Sequence, residues 1–396
     1  MKKQYIILLL FYWVFHFIVP WIYFRFYGFV NLYSTVQGYE GMIINTIAIL
    51  GTVLVIAFLP STKKTIKPEW EHADSFFLIA LFITLVKFII GGGFQGALSG
   101  ASQGSFISYL SQFFNLNTAF ILMFCLQKNI RHVYLLLASF ILVATFTGSR
   151  SSVVFLLIVA IFLPVFYNYA LIKKKLIRII IFIALISPVI FLYGTSLRGN
   201  FDRDKLVKLI FGRISMIELS MIPLQGKADG TMRNDIFDEK YSATNQFQQV
   251  LNTVSPIDPY KYDIAPNQYF RQIFLRASEK YVRNSYMSMN FTLPVYFVMK
   301  TNLFLGCLMT ILLLSLIYYL WHRFSSNIYI FISIICSLYN LLYFFDWIII
   351  AQIVFTTCLT ILALKMYNHF ANSIGYTLTR YSRLQIPELI DHGKTF

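Results

Sequence analysis

The sequence predicts an all-α polytopic membrane protein with about ten transmembrane helices and one large external loop containing amphipathic helices. Three observations predict it. Apolar residues make up 58% of the 396 residues and charged residues 13%, about half the charge of a soluble chain. Apolar runs long enough to cross a hydrocarbon core of ~30 Å recur along the chain. Helices satisfy every backbone group within the span itself. Finally, polar chemistry concentrates in one stretch, 196–300, which holds ten of the seventeen acidic and fourteen of the thirty-three basic residues.

The first span covers about 5–24, with Lys2 and Lys3 before it and Arg25 after it. Its length and the lack of a small-residue cleavage site distinguish it from a signal peptide. A second span, 42–59, precedes Lys63, Lys64 and Lys67, and a short third one, 75–90, carries Lys87 near its far end. The Gly/Ser-rich GGGFQGALSGASQG that follows reads as a loop or re-entrant turn. The fourth span, 106–126, is unusually polar (Ser108, Ser111, Gln112, Asn115, Asn117) and is expected to face the bundle interior. Spans five to seven follow at 133–146, 151–171 and 176–195, the last kinked at Pro188. After the long loop come spans at 302–320, 328–344 and 347–364. The expected organisation is a membrane bundle over 1–195, the loop over 196–300, three spans within 301–364, and a polar cytoplasmic tail over 365–396.

Charge supplies the orientation. With ten spans, Lys2/Lys3, Lys63/Lys64/Lys67, Lys128/Arg131, the run Lys173, Lys174, Lys175 with Arg178, and Arg323 fall on one side. The short connections on the other side carry Arg25 and Arg150. The positive-inside rule then places both termini in the cytoplasm and the long loop outside. This distribution accounts for the net charge of +16 as topology and argues against nucleic acid as a partner. Cys125, Cys307, Cys336 and Cys358 lie inside apolar runs without paired spacing, which suggests neither a disulfide framework nor a zinc site.

Candidate chemistry lies on the outer side. Arg150, in FTGSRSS, occupies a tight turn between two apolar runs. An arginine there can snorkel to the interface, but its planar fork also suits a phosphate, and topology does not require a cation on that face. Arg198 and Arg203 follow in YGTSLRGNFDRD, where Asp202 and Asp204 form a D-x-D pattern whose default role is local ion pairing. From 205 to 223, Leu206, Ile210, Ile214, Ile217 and Met221 recur at helical spacing, predicting an amphipathic helix on the membrane surface. Arg213 and Glu218 depart from its polar stripe, and Glu218 is the candidate base. Over 267–289, Arg276, Lys280 and Arg283 share one helical face, with Glu279 as the ordinary pairing partner. All six histidines lie outside the loop, which argues against a histidine base there, and no Walker, G-x-S-x-G or H-E-x-x-H motif is present.

TGSR at an external turn, the exit YGTSLRGN, one large late loop and the re-entering PVYFVMKTNLFLGCL make 133–320 resemble the O-antigen, or oligosaccharide repeat-unit, polymerases of the Wzy type. The arginine-to-glycine spacing described for some members is absent. The resemblance implies a membrane glycosyltransferase that transfers a growing glycan from undecaprenyl pyrophosphate to an incoming lipid-linked repeat unit. The site would be periplasmic, on a bacterial inner membrane, with no cofactor. Its implied partners are the lipid-linked donor and acceptor, with a chain-length regulator and a flippase by resemblance only. Glu218 and Arg213 would be catalytic, and Arg150, Arg198, Arg203, Arg276 and Arg283 would bind pyrophosphate, where developing charge needs fixed cations. A flippase would instead predict internal repeats and mostly short loops. An O-antigen ligase is the rival enzyme, weakened by the missing loop histidine.

Overall fold

The computed structural model describes residues 2–29, 37–61, 73–91, 106–126, 137–141, 215–230, 291–324 and 347–385, with isolated positions elsewhere. Among them the structure is helical and no strand is present. Three helices are long and apolar enough to cross a membrane: α1 (Lys2–Tyr27), α2 (Glu40–Phe58) and α8 (Leu303–Arg323). The remaining helices in chain order are α3 (Ala73–Ile90), α4 (Phe106–Phe113), α5 (Leu116–Leu126), α6 (Ile217–Ala228), α7 (Leu293–Lys300) and α9 (Trp347–Gln385).

The first two spans run antiparallel. Lys2 at the start of α1 donates Nζ bonds to the carbonyls of Ala57 (2.6 Å) and Leu59 (2.9 Å) at the far end of α2. By contrast, α8 runs parallel to α2: Cys307 lies 4.0 Å from the Ile44 carbonyl, and Tyr318 donates to the Pro60 carbonyl at 2.7 Å. One end of this trio therefore carries Lys2, Lys3 and Arg323, and the other carries Arg25 and Glu40. Leu54, Phe58, Phe304 and Leu312 are more than half exposed on the outer faces, an apolar girdle suited to lipid.

Aromatic packing closes the lysine-bearing end. Tyr5 is fully buried against Tyr318 and Trp321, both with ring centroids 5.3 Å away, and its hydroxyl donates to the Leu314 carbonyl at 2.9 Å. Tyr5→Phe keeps the rings together and loses that bond. It is expected to lower unfolding stability by about 1 kcal/mol, read as a drop in melting temperature of the detergent-solubilised protein.

The second group joins α3, α4, α5 and α9. The polar run 106–126, expected as one span, is two helices broken at Phe114 and Asn115. The sequence explains the break. Asn115 Oδ1 accepts from the Thr118 N–H at 3.0 Å, the bond of an N-cap three residues ahead. Thr360 on α9 takes the Asn115 N–H (3.2 Å) and donates toward the Gln112 carbonyl (3.3 Å). Thus the Asn115 side chain caps α5 while the backbone at the break meets Thr360 of α9. Lys87 on α3 donates to Ser111 Oγ at 3.1 Å, while Phe76 packs on Phe114 and Tyr367. α9 begins at the expected tenth span and continues as one helix to Gln385.

Candidate functional site

Both described borders of the long polar segment pack at the Arg25/Glu40 end of the trio. At this end α1 carries a π-helical turn, Val14–Ile18, and Pro20 supplies a reason for it. Residue 20 would normally give its N–H to the carbonyl of residue 16, but proline has none. The freed His16 carbonyl accepts instead from the Met216 N–H at 3.1 Å, which anchors the start of α6. Single-turn π segments recur at functional sites in helices.

Residues 215–223, expected as the latter part of an amphipathic surface helix, are buried without interruption. This corrects the sequence expectation. Helical spacing of apolar residues is present, but Glu218 and Ser220 between them are also buried, because α6 is enclosed by α1, α2 and α7 rather than lying on a lipid surface. Glu218 is 1% exposed and is the one buried carboxylate among the described residues. Ser220, two residues on, is fully buried.

The other wall is α2. Gly41 comes so close to Ser220 that a Cβ would overlap the Ser220 Cβ and lie 2.8 Å from its carbonyl carbon. The Gly41 N–H points to Met221 Sδ at 3.1 Å. One turn along, Asn45 Nδ2 reaches the Gly41 carbonyl (2.7 Å), Ser220 Oγ (3.2 Å) and Thr292 Oγ1 (3.1 Å), while the two hydroxyls lie 3.3 Å apart. Asn45 Oδ1 is buried and meets no donor among the described residues. Donation to a backbone carbonyl fixes which end of the amide is nitrogen. Thr292 precedes α7, which leans on α8 where Gly306 lies within 2.6 Å, measured from its ideal Cβ, of the Val298 Cα. At the rim, Gln225 donates to the Gln37 carbonyl (3.0 Å) and Lys227 to the Met299 carbonyl (3.2 Å).

The site is therefore a buried polar knot of Asn45, Ser220 and Thr292, with the buried Glu218 two residues before Ser220 on α6 and the His16 carbonyl at the start of that helix. Of the residues singled out from the sequence, Glu218 belongs to it. Arg150, Arg198, Arg203, Arg213, Arg276 and Arg283 lie outside the described residues. His16 and Asn45 were missed because both sit within apolar spans. The signal that finds them is a polar side chain in a membrane helix, which is costly unless it faces a partner. No histidine lies in the loop; His16 of α1 is buried, with its ring tilted against Tyr12 and edge-on to Phe15, and its backbone carbonyl meets the start of α6. Chemically, α6 and the segments packed on it bury a carboxylate, two hydroxyls and an amide. Such a setting suits proton abstraction from a hydroxyl. Among the described residues no group of three His, Cys, Asp or Glu side chains could hold a metal ion.

Fold and site together define a chain that is helical over its described residues, with three apolar helices of membrane-crossing length and a buried polar cluster at one end of them. No family model, no characterised protein and no solved structure matches it.

Proposed function

We propose that this protein is a membrane glycosyltransferase that polymerises oligosaccharide repeat units carried on undecaprenyl pyrophosphate, at the outer face of a bacterial inner membrane. One observation carries the reading. The described borders of the long polar segment come together at the end of the trio opposite Lys2, Lys3 and Arg323, and bury a single carboxylate there. The likeness of the TGSR and YGTSLRGN stretches to repeat-unit polymerases points the same way. In this mechanism Glu218 takes the proton from an acceptor sugar hydroxyl. The oxygen bonds to the anomeric carbon of the donor glycan, and the bond from that carbon to pyrophosphate breaks. Arg213 supports the reacting groups, and Arg150, Arg198, Arg203, Arg276 and Arg283 receive the leaving lipid pyrophosphate, whose charge needs fixed cations.

The test uses purified full-length protein in lipid vesicles with undecaprenyl-pyrophosphate-linked repeat units on both faces. The expected product is a ladder of lengthened glycans with release of the lipid pyrophosphate. Glu218→Gln should slow ladder formation about a hundredfold or more, the usual contribution of a general base. Movement of lipid-linked units across the vesicle without lengthening would overturn the reading in favour of a flippase.

A further inference from the structure

α6 is short, twelve residues, and contains Pro223. A helix of that length is marginal by itself, and the proline removes one of its backbone bonds. Its position is therefore set by what it touches. The rim bonds from Gln225 and Lys227 act at its far end, and the Met216 N–H bond at its start. In the buried middle, Asn45 ties α6 to α2 through Ser220, beside the contact of the Gly41 N–H with Met221 Sδ, and it holds Thr292 ahead of α7 at the same time. The amide has two N–H groups for three acceptors, so both hydroxyls depend on one donor and on each other. Rotation or sliding of α6 along α2 breaks this arrangement. Glu218, two residues before Ser220 on the same helix, moves with it.

An amide inside an apolar helix is unfavourable, and its best-attested use is to specify register. We propose that Asn45 is a positioning residue that holds α6 in register so that Glu218 stands at the reacting centre. This role rests on Glu218 acting as the base. A leucine or alanine at position 45 would pack the helices with less polar cost, but would remove the hydrogen bond that fixes the Ser220 face of α6 against α2 in the buried middle.

Steady-state kinetics of the full-length protein in vesicles test this with Asn45→Ala, Glu218→Gln and the double variant, each adjusted to equal amounts of folded protein. Asn45→Ala is expected to lower kcat about tenfold or more with KM changed by less than about twofold. Because Asn45 acts through Glu218, the double variant should be no slower than Glu218→Gln alone. A structural defect would instead multiply the two losses, and that result overturns the proposal. So would an unchanged kcat in Asn45→Ala. Ser220→Ala removes the same tie from the α6 side and should show the same split, which keeps the test decisive if Asn45→Ala accumulates poorly. Full activity of Glu218→Gln would overturn the base reading itself, and this role with it.

Discussion

Gly41→Val is expected to remove most folded protein from the membrane. The site has no room for a side chain, since even a Cβ at position 41 overlaps Ser220 and comes within 2.8 Å of its backbone. A backbone obstacle cannot rotate away as a flexible side chain can. α6 must move off α2, and the move breaks both the Asn45–Ser220 bond and the Gly41–Met221 contact. Overpacking of this kind costs about 1–3 kcal/mol, and each lost buried bond adds roughly 1 kcal/mol. Such a sum is a large share of a typical protein's stability. Gly51→Ala is the matched comparison. Its Cβ would meet the terminal carbon of Ile311 at 2.6 Å, a side-chain end that can turn aside, so its loss should be much smaller. Melting of the detergent-solubilised variants measures both. A Gly41→Val protein that melts with the native one would refute the close α2–α6 contact.

Arg150→Ala should abolish polymer in cells while leaving a single repeat unit on the lipid acceptor. The proposed reaction would expel a pyrophosphate where water is scarce, and removing one fixed donor from such a site typically slows catalysis by about a hundredfold or more. Arg150→Lys distinguishes the mode of contact. A lysine keeps the charge but not the planar fork, so loss of the ladder with lysine as well indicates bidentate phosphate contact. With equal protein levels, an unchanged ladder in both variants would leave Arg150 as a snorkelling residue at the interface. Loss of the single capped unit as well would point to transport or ligation instead.

Much of the helical framework was legible because its causes are local. An apolar run of membrane length has one hydrogen-bonding solution, so the spans expected over 5–24, 42–59, 75–90 and 302–320 coincide closely with α1, α2, α3 and α8. Asn302 even marks the start of α8, with Oδ1 accepting from the Leu305 N–H at 2.9 Å. The break at Asn115 was harder to see. An asparagine in a polar span can face a neighbour or cap a new helix, and Thr360, far away in sequence, completes the cap. Likewise, the spacing within 205–223 describes an apolar face but not whether the opposite face meets water or protein. Enclosure by α2 and α7 depends on contacts across more than seventy residues of sequence.

The sequence by itself determined that the described helices are apolar enough for a membrane and where α1 and α8 begin, to within a few residues. These follow from hydropathy, capping and charge, each read within a few turns of chain. Only the tertiary structure decided that Glu218 is buried, that a proline in α1 frees the His16 carbonyl for Met216, and that Asn45 joins Ser220 to Thr292. A polar residue in a span signals that it has a partner, but partner choice depends on which helices meet and in what register. Local spacing carries no information about that.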